Sequence, residues 1–145
     1  IHCYKMDIKQ SMYFILFLVI CLALTDFLHV RLFKNLFMRL RPCWEDNILS
    51  QIRPLIIDCG GRYGFISGHA ANSAAMVTFL IYSFNKKNTI VRYTLFIWML
   101  IVSYSRIYLA KHYFLDVLFG IFFGFFVSVI VFNTYKIYIN KNLIK

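Results

Sequence analysis

The chain has 145 residues, is 61% hydrophobic and 19% aromatic, and carries 16 Lys and Arg against 6 Asp and Glu, a net charge of +10. So small a soluble globule has too little interior to bury that much apolar surface, which excludes an ordinary soluble domain and makes lipid the natural solvent. The basic residues lie between apolar runs and not in a block, which argues against nucleic acid as a partner and for a bilayer.

The first apolar run covers about 12–33 and is broken by Thr25, Asp26, His29 and Arg31. Lys5 and Lys9 precede it, as in a signal peptide, but no small-x-small cleavage pattern follows and the run is too long, so it reads as a membrane helix. A long polar segment, 34–66, then holds Pro42, Pro54, Gly60, Gly61 and Gly64. A loop of that length in a compact protein points to function. Cys43 and Cys59 fall within it and could pair if it faces an oxidising compartment. Cys21 reads as a small core residue.

Three further apolar runs follow at about 69–84, 90–109 and 113–138, joined by short turns at 85–89 and 110–112. About 20 residues span a bilayer core as a helix, and the second run nears that length only if it starts at Ser67. The runs are continuous and not alternating, so helices are expected over a barrel. The predicted fold is therefore all-α, a polytopic bundle of four transmembrane helices in one membrane-embedded domain over 1–145. The chain opens on Ile1, which reads as truncation at the N-terminus. No close cysteine pair has zinc-ligand spacing, so neither a metal nor another cofactor is expected.

Four crossings put the long segment and the 110–112 turn on one side. Lys5, Lys9, Lys86, Lys87, Arg92, Lys136, Lys141 and Lys145 lie on the other, against Asp7. The positive-inside rule makes that second side cytoplasmic. The first side also carries Lys34, Arg39, Arg41, Arg53, Arg62, Arg106 and Lys111, so it is external only if several of these serve a ligand and not topology.

Three polar clusters stand on that first side. Lys34 and Arg41 are seven residues apart, which on a helix sets both on one stripe, with Pro42 ending the helix at about Arg41. A point charge and a bidentate fork suit a dianionic phosphate, although snorkelling cations at a membrane boundary have the same pattern. Ser67, Gly68 and His69 open the second helix: Ser67 suits an N-cap, and Gly68 lets an anion approach the free amides. A plain cap with an interfacial histidine fits equally. Ser105-Arg106 leads through Lys111 to His112 and Asp116. Four residues separate His112 from Asp116, so on a helix the carboxylate lies beneath the imidazole, fixes its tautomer and frees the other nitrogen to attack. A structural His–Asp pair is the alternative.

Taken together, the clusters resemble the type 2 phosphatidic acid phosphatase superfamily of lipid phosphate phosphatases. Its signature is Lys-x6-Arg-Pro, Pro-Ser-Gly-His and Ser-Arg-x5-His-x3-Asp. Here it reads Lys34 to Arg41-Pro42, Ser67-Gly68-His69, and Ser105-Arg106 to His112 to Asp116, with Ile66 where the family usually has Pro. The stretches around Arg41-Pro42-Cys43 and Cys59-Gly60-Gly61 look like bacterial members of the undecaprenyl-diphosphate phosphatase type. The resemblance implies that these four helices are the later four of a six-helix core.

It also implies a two-step, metal-independent reaction on a membrane lipid phosphate or diphosphate, of the undecaprenyl diphosphate or phosphatidic acid type. In that scheme His112 forms a phosphohistidine, Asp116 holds His112, and His69 protonates the leaving oxygen and then activates water. Lys34, Arg41, Ser67, Gly68 and Arg106 bind the phosphate. The expected location is the bacterial inner membrane, with the site on the periplasmic or external face. Soluble haloperoxidases share the superfamily, but the lipid-length runs argue against that activity. A non-catalytic anion-binding or transport protein with a phosphatase-like site is the reading from another functional class. Outside the signature, Asp26 is expected to pair with Lys34 or an absent helix, or to cap a polar seam. Gly120 and Gly124 are expected to pack a neighbouring helix, and Tyr108 and Tyr113 to sit at the interface. Arg39, Arg53, Arg62 and Lys111 read as solvated loop charges.

Overall fold

The computed structural model describes residues 7–51, 59–84 and 88–142, and among these every regular element is a helix. Arg53, Pro54, Lys86 and Lys87, like Cys3, Lys5 and Lys145, lie outside the described residues.

Helix α1 covers Ile8–Phe37. It begins at an Asp7 cap, whose carboxylate accepts the Ile8 amide at 2.7 Å, and runs as regular α-helix to His29. It then passes through a π turn, Val30–Lys34, before Asn35–Phe37. Met38, in the left-handed region at φ 43°, ends it.

This corrects the expectation of one helix carrying both Lys34 and Arg41. Lys34 is helical, but residues 39–41 have left the helix, and Leu40 pairs with Tyr63 in an isolated antiparallel bridge. The Arg41 amide donates to Arg62 O at 3.2 Å and the Gly64 amide to Arg39 O at 2.8 Å. Pro42 acts one residue back: it holds Arg41 extended at φ −75°, ψ 154° and opens a 3-10 turn, Pro42–Trp44. A disulfide joins Cys43 to Cys59, with Cα atoms 6.1 Å apart, closing the segment on itself.

Helix α2, Gly68–Ser83, is the hub and packs on all three long helices. Its 16 residues give about 24 Å. That is shorter than a full crossing, so of the four expected spans three have the length and hydropathy to cross: Ile8–Phe37, Thr89–Tyr108 and Phe114–Lys141. Helix α3 is Thr89–Tyr108 and α4 is Phe114–Asn142. Small residues let α2 and α4 touch backbone to backbone. A β-carbon on Gly120 would stand 2.7 Å from Ser67 O, and one on Gly124 would overlap the Ala71 carbonyl. The expected helix-packing role of these two glycines is met.

Below this contact, Cys21, Ala75, Phe79, Phe132, Tyr135 and Ile139 form the buried core. At the other end, rings tie the segment before α2 between α1 and α4. Phe65 lies 4.9 Å from Phe37 and 5.6 Å from Phe119, and Phe33 lies 5.2 Å from Phe123. Ile15 and Val19 on α1, Ile97 and Ile101 on α3, and Phe126 and Ile130 on α4 are exposed. Apolar faces of that extent on spans of that hydropathy make this an integral membrane bundle.

Candidate active site

At the end of the bundle where α1 and α3 finish and α2 and α4 begin, a cavity of about 640 Å³ opens. Lys34, Arg41, Gly68, His69, Arg106, Lys111 and His112 line its charged end. The three clusters, separated by up to 78 residues in sequence from Lys34 to His112, therefore meet at one cavity. Asp26, His29 and Asn72 also line it, and Leu22, Met76, Trp98 and Val102 supply apolar lining.

Each basic group is held by local chain geometry. The π turn sets Lys34 at the end of α1, and such turns recur at functional sites. Arg41 is oriented by loop carbonyls: Nη1 donates to Cys59 O at 2.7 Å and Nε to Tyr63 O at 3.3 Å. Arg106 closes α3, its Nε 3.1 Å from Ser105 Oγ, and its carbonyl accepts the Lys111 and His112 amides at 3.1 and 3.2 Å. With Ala110 left-handed at φ 52°, those two bonds fold the turn so that His112 faces the cavity.

Ser67 caps α2 as expected, its Oγ 3.5 Å from the Ala70 amide. The side chain is fully buried behind the wall, and its own amide donates to Asp116 O at 2.9 Å. Gly68 is glycine because His29 leaves no room: a β-carbon there would sit 2.6 Å from His29 Nε2. His69, one residue on, is exposed to the cavity.

His112 and Asp116 differ from the expected helical pair. His112 precedes α4, and Asp116 sits in the first turn of that helix, where a carboxylate satisfies free amides. Asp116 is fully buried; Oδ2 accepts the Tyr113 amide at 2.9 Å and Oδ1 accepts Arg39 Nη1 at 3.0 Å. His112 Nδ1 is 3.8 Å from Asp116 Oδ2, an ion-pair distance and not a hydrogen bond, and it is buried without a hydrogen-bond partner. Burial pushes the His112 imidazole below the ordinary histidine range; Asp116 pulls it up, and the Arg41 and Lys34 charges push it down. A neutral imidazole in a cavity lined by four cationic side chains, Lys34, Arg41, Arg106 and Lys111, is suited to attack an anion they hold.

Two loop assignments change: Arg39 is a partner of Asp116, and Lys111 lines the cavity. Tyr113 lies under the Arg39 guanidinium at 4.1 Å. Asp26 Oδ1 accepts Asn72 Nδ2 at 3.1 Å and lies 3.8 Å from His29 Nδ1, a polar seam between α1 and α2, and among the described residues it makes no ion pair with Lys34. Asn72 and Trp98 went unnoticed in the sequence because each sits in a helix whose spacing carries no separate signal. Among the described residues no group of three His, Cys, Asp or Glu is placed to hold a metal ion.

A family model described as the PAP2 superfamily matches residues 14–139. The chain is 31% identical over 134 residues to a lipid A 4'-phosphatase of Porphyromonas gingivalis, covering 91% of this chain and 55% of that protein. It is 30% identical over 119 residues to a lipid A 4'-phosphatase of Bacteroides thetaiotaomicron, covering 81% and 52%. The chain thus spans about half the length of the curated relatives it matches. No solved structure matches.

Proposed function

The chain belongs to the PAP2 superfamily, and we propose that it is a membrane phosphatase that removes a phosphate group from a lipid through a phosphohistidine on His112. The observation that carries this reading is the convergence of Lys34, Arg41, Arg106, His69 and His112 on one cavity. Phosphoryl transfer depends on positioning and on charge stabilisation, and this wall supplies both.

In the first step the His112 Nε2 lone pair forms a bond to phosphorus, while the bond from phosphorus to the lipid oxygen breaks and its electron pair leaves with that oxygen. His69, as imidazolium, gives the oxygen its proton. In the second step water attacks phosphorus, His69 takes a proton from that water, and the N–P bond breaks, releasing inorganic phosphate. Lys34, Arg41 and Arg106 neutralise the phosphoryl oxygens, with the Gly68 amide as a further donor at the start of α2. Ser67, buried behind the wall, acts by capping α2. No metal takes part in this scheme.

The substrate favoured is a lipid A phosphate monoester, ahead of undecaprenyl diphosphate or phosphatidic acid, because two relatives bear the name lipid A 4'-phosphatase. Acyl chains would lie against the exposed apolar faces of the bundle. The disulfide between Cys43 and Cys59 beside the site supports a location in the inner membrane with the site facing an oxidising, external compartment.

The test is phosphate release by the purified full-length protein from lipid A, undecaprenyl diphosphate and phosphatidic acid, with radiolabelled phosphate trapped on acid-labile, base-stable histidine. Labelling of wild type and none of His112→Ala is expected. Release from none of the three lipids would leave the alternative, a non-catalytic anion-binding protein.

A further inference from the structure

Asp116 is the one fully buried carboxylate among the described residues, and its two oxygens are each committed to a different element. Oδ2 is held by the Tyr113 amide, at the turn that carries His112. Oδ1 is held by Arg39, from the segment after α1, across 77 positions of sequence. Arg39 is itself fixed on three sides. Its carbonyl accepts the Gly64 amide at 2.8 Å, its guanidinium covers the Tyr113 ring at 4.1 Å, and the neighbouring isolated Leu40–Tyr63 bridge sets the path of the segment. Gly64 leaves the space for this, since a β-carbon there would stand 3.3 Å from Asp116 Oδ2.

We propose that Arg39 is a positioning residue for the reaction, clamping the Asp116 carboxylate so that its charge is shared between Arg39 and His112 and His112 keeps a free lone pair. The proposal rests on the reading that His112 is the nucleophile. An unshared buried carboxylate 3.8 Å from an imidazole would favour the imidazolium, which cannot attack. Arg39 draws part of that field to itself and holds Oδ2 in register with the His112 turn. The other charged groups around His112 are Lys34 and Arg41 from the α1 side, His69 from α2, Arg106 from α3 and Lys111 in its own turn. Arg39 is the side chain that donates to the far oxygen of Asp116.

The test reads His112 directly, apart from turnover. The full-length protein in detergent, with histidine labelled at its ring nitrogens, is titrated by NMR, and His112 is assigned by its loss in His112→Ala. In Arg39→Gln the His112 midpoint is expected to rise by about one pH unit, and in Arg39→Lys to return most of the way. With Asp116→Asn as background, Arg39→Gln should then move it no further. An unchanged midpoint in Arg39→Gln, or an equal rise with Asp116 replaced, overturns the proposal. If Arg39→Gln does not fold, Arg39→Lys carries the test: a midpoint nearer wild type than that of Asp116→Asn sustains the clamp, and any other order overturns it. A shifted midpoint in a protein with no phosphatase activity would sink the proposed function while leaving the clamp standing.

Discussion

Asp116 stands behind the cavity wall with one oxygen 3.8 Å from His112 Nδ1 and accepts its two hydrogen bonds from Arg39 and the Tyr113 amide. The carboxylate therefore orients His112 at a distance and does not grip it. Asp116→Asn keeps the shape but turns one acceptor into a donor facing Arg39 or the amide. We expect kcat to fall roughly 100-fold or more with KM little changed, the pattern of a lost orienting group. Steady-state kinetics on the most active lipid checks this; a mere rise in KM would mean that Asp116 serves binding.

His69 is exposed to the cavity one residue past Gly68, and the proposed scheme makes it the proton donor to the leaving oxygen. His69→Gln is expected to slow turnover by roughly 10²–10⁴ while His112 is still phosphorylated from a substrate with a good leaving group. Rapid-quench trapping should find the phosphoenzyme accumulating in this variant. No accumulation would remove His69 from the hydrolysis step.

Burial and the nearby Arg41 and Lys34 hold His112 below its ordinary value of 6.5, against the pull of Asp116. Protonation occupies the lone pair that attacks in the proposed scheme, so the limb set by His112 should fall only as the pH drops through the lowered value, while loss of the His69 proton limits the alkaline side. The acid limb of kcat/KM, corrected for the separately measured ionisation of the substrate phosphate, should have its midpoint below 6.5. A midpoint at or above 6.5 would contradict the burial argument.

The disulfide closes a loop whose ends are 16 positions apart, and the Cys59 carbonyl accepts Arg41 Nη1 at 2.7 Å. Cys43→Ser should lower stability by about 3 kcal/mol on loop-closure grounds. Because Arg41 then loses its anchor, KM should rise more than kcat falls. Thermal unfolding and kinetics under non-reducing conditions check both. Equal losses in kcat and kcat/KM would mean that Arg41 acts in the transition state alone.

Gly124 faces the Ala71 backbone so closely that any β-carbon overlaps its carbonyl. Gly124→Ala should force α2 away from α4 and cost about 1–3 kcal/mol, seen as a lower unfolding temperature in detergent. The start of α2 carries Gly68 and His69, so activity should fall with it. A variant as stable as wild type would show that the helices separate easily.

The signature spacings were legible in the sequence because each short stretch carries its own residue types, and the helices because apolar runs of that length have few other folds in lipid. Lys34, Ser67 and Gly68 thus stand where local chemistry puts them: the end of a span, a cap, a close approach. Arg39 was not legible. Beside Arg41 and Lys34 it is one more boundary cation, and its partner lies 77 residues away. Helical spacing also misassigned Arg41 and His112, since it says where side chains point only while the helix lasts. Met38 and Ala110, both left-handed, interrupt it before each.

Composition and spacing alone determined that this is a membrane helix bundle bearing the three clusters of the family signature, because apolar length and motif order are properties of the chain read locally. The tertiary structure decided that α2 is a short buried hub and that Asp116, bonded to Arg39, stands 3.8 Å from His112. Both depend on contacts between distant segments, Gly124 on Ala71 and Arg39 on Asp116, whose free energy exists only once the helices have packed.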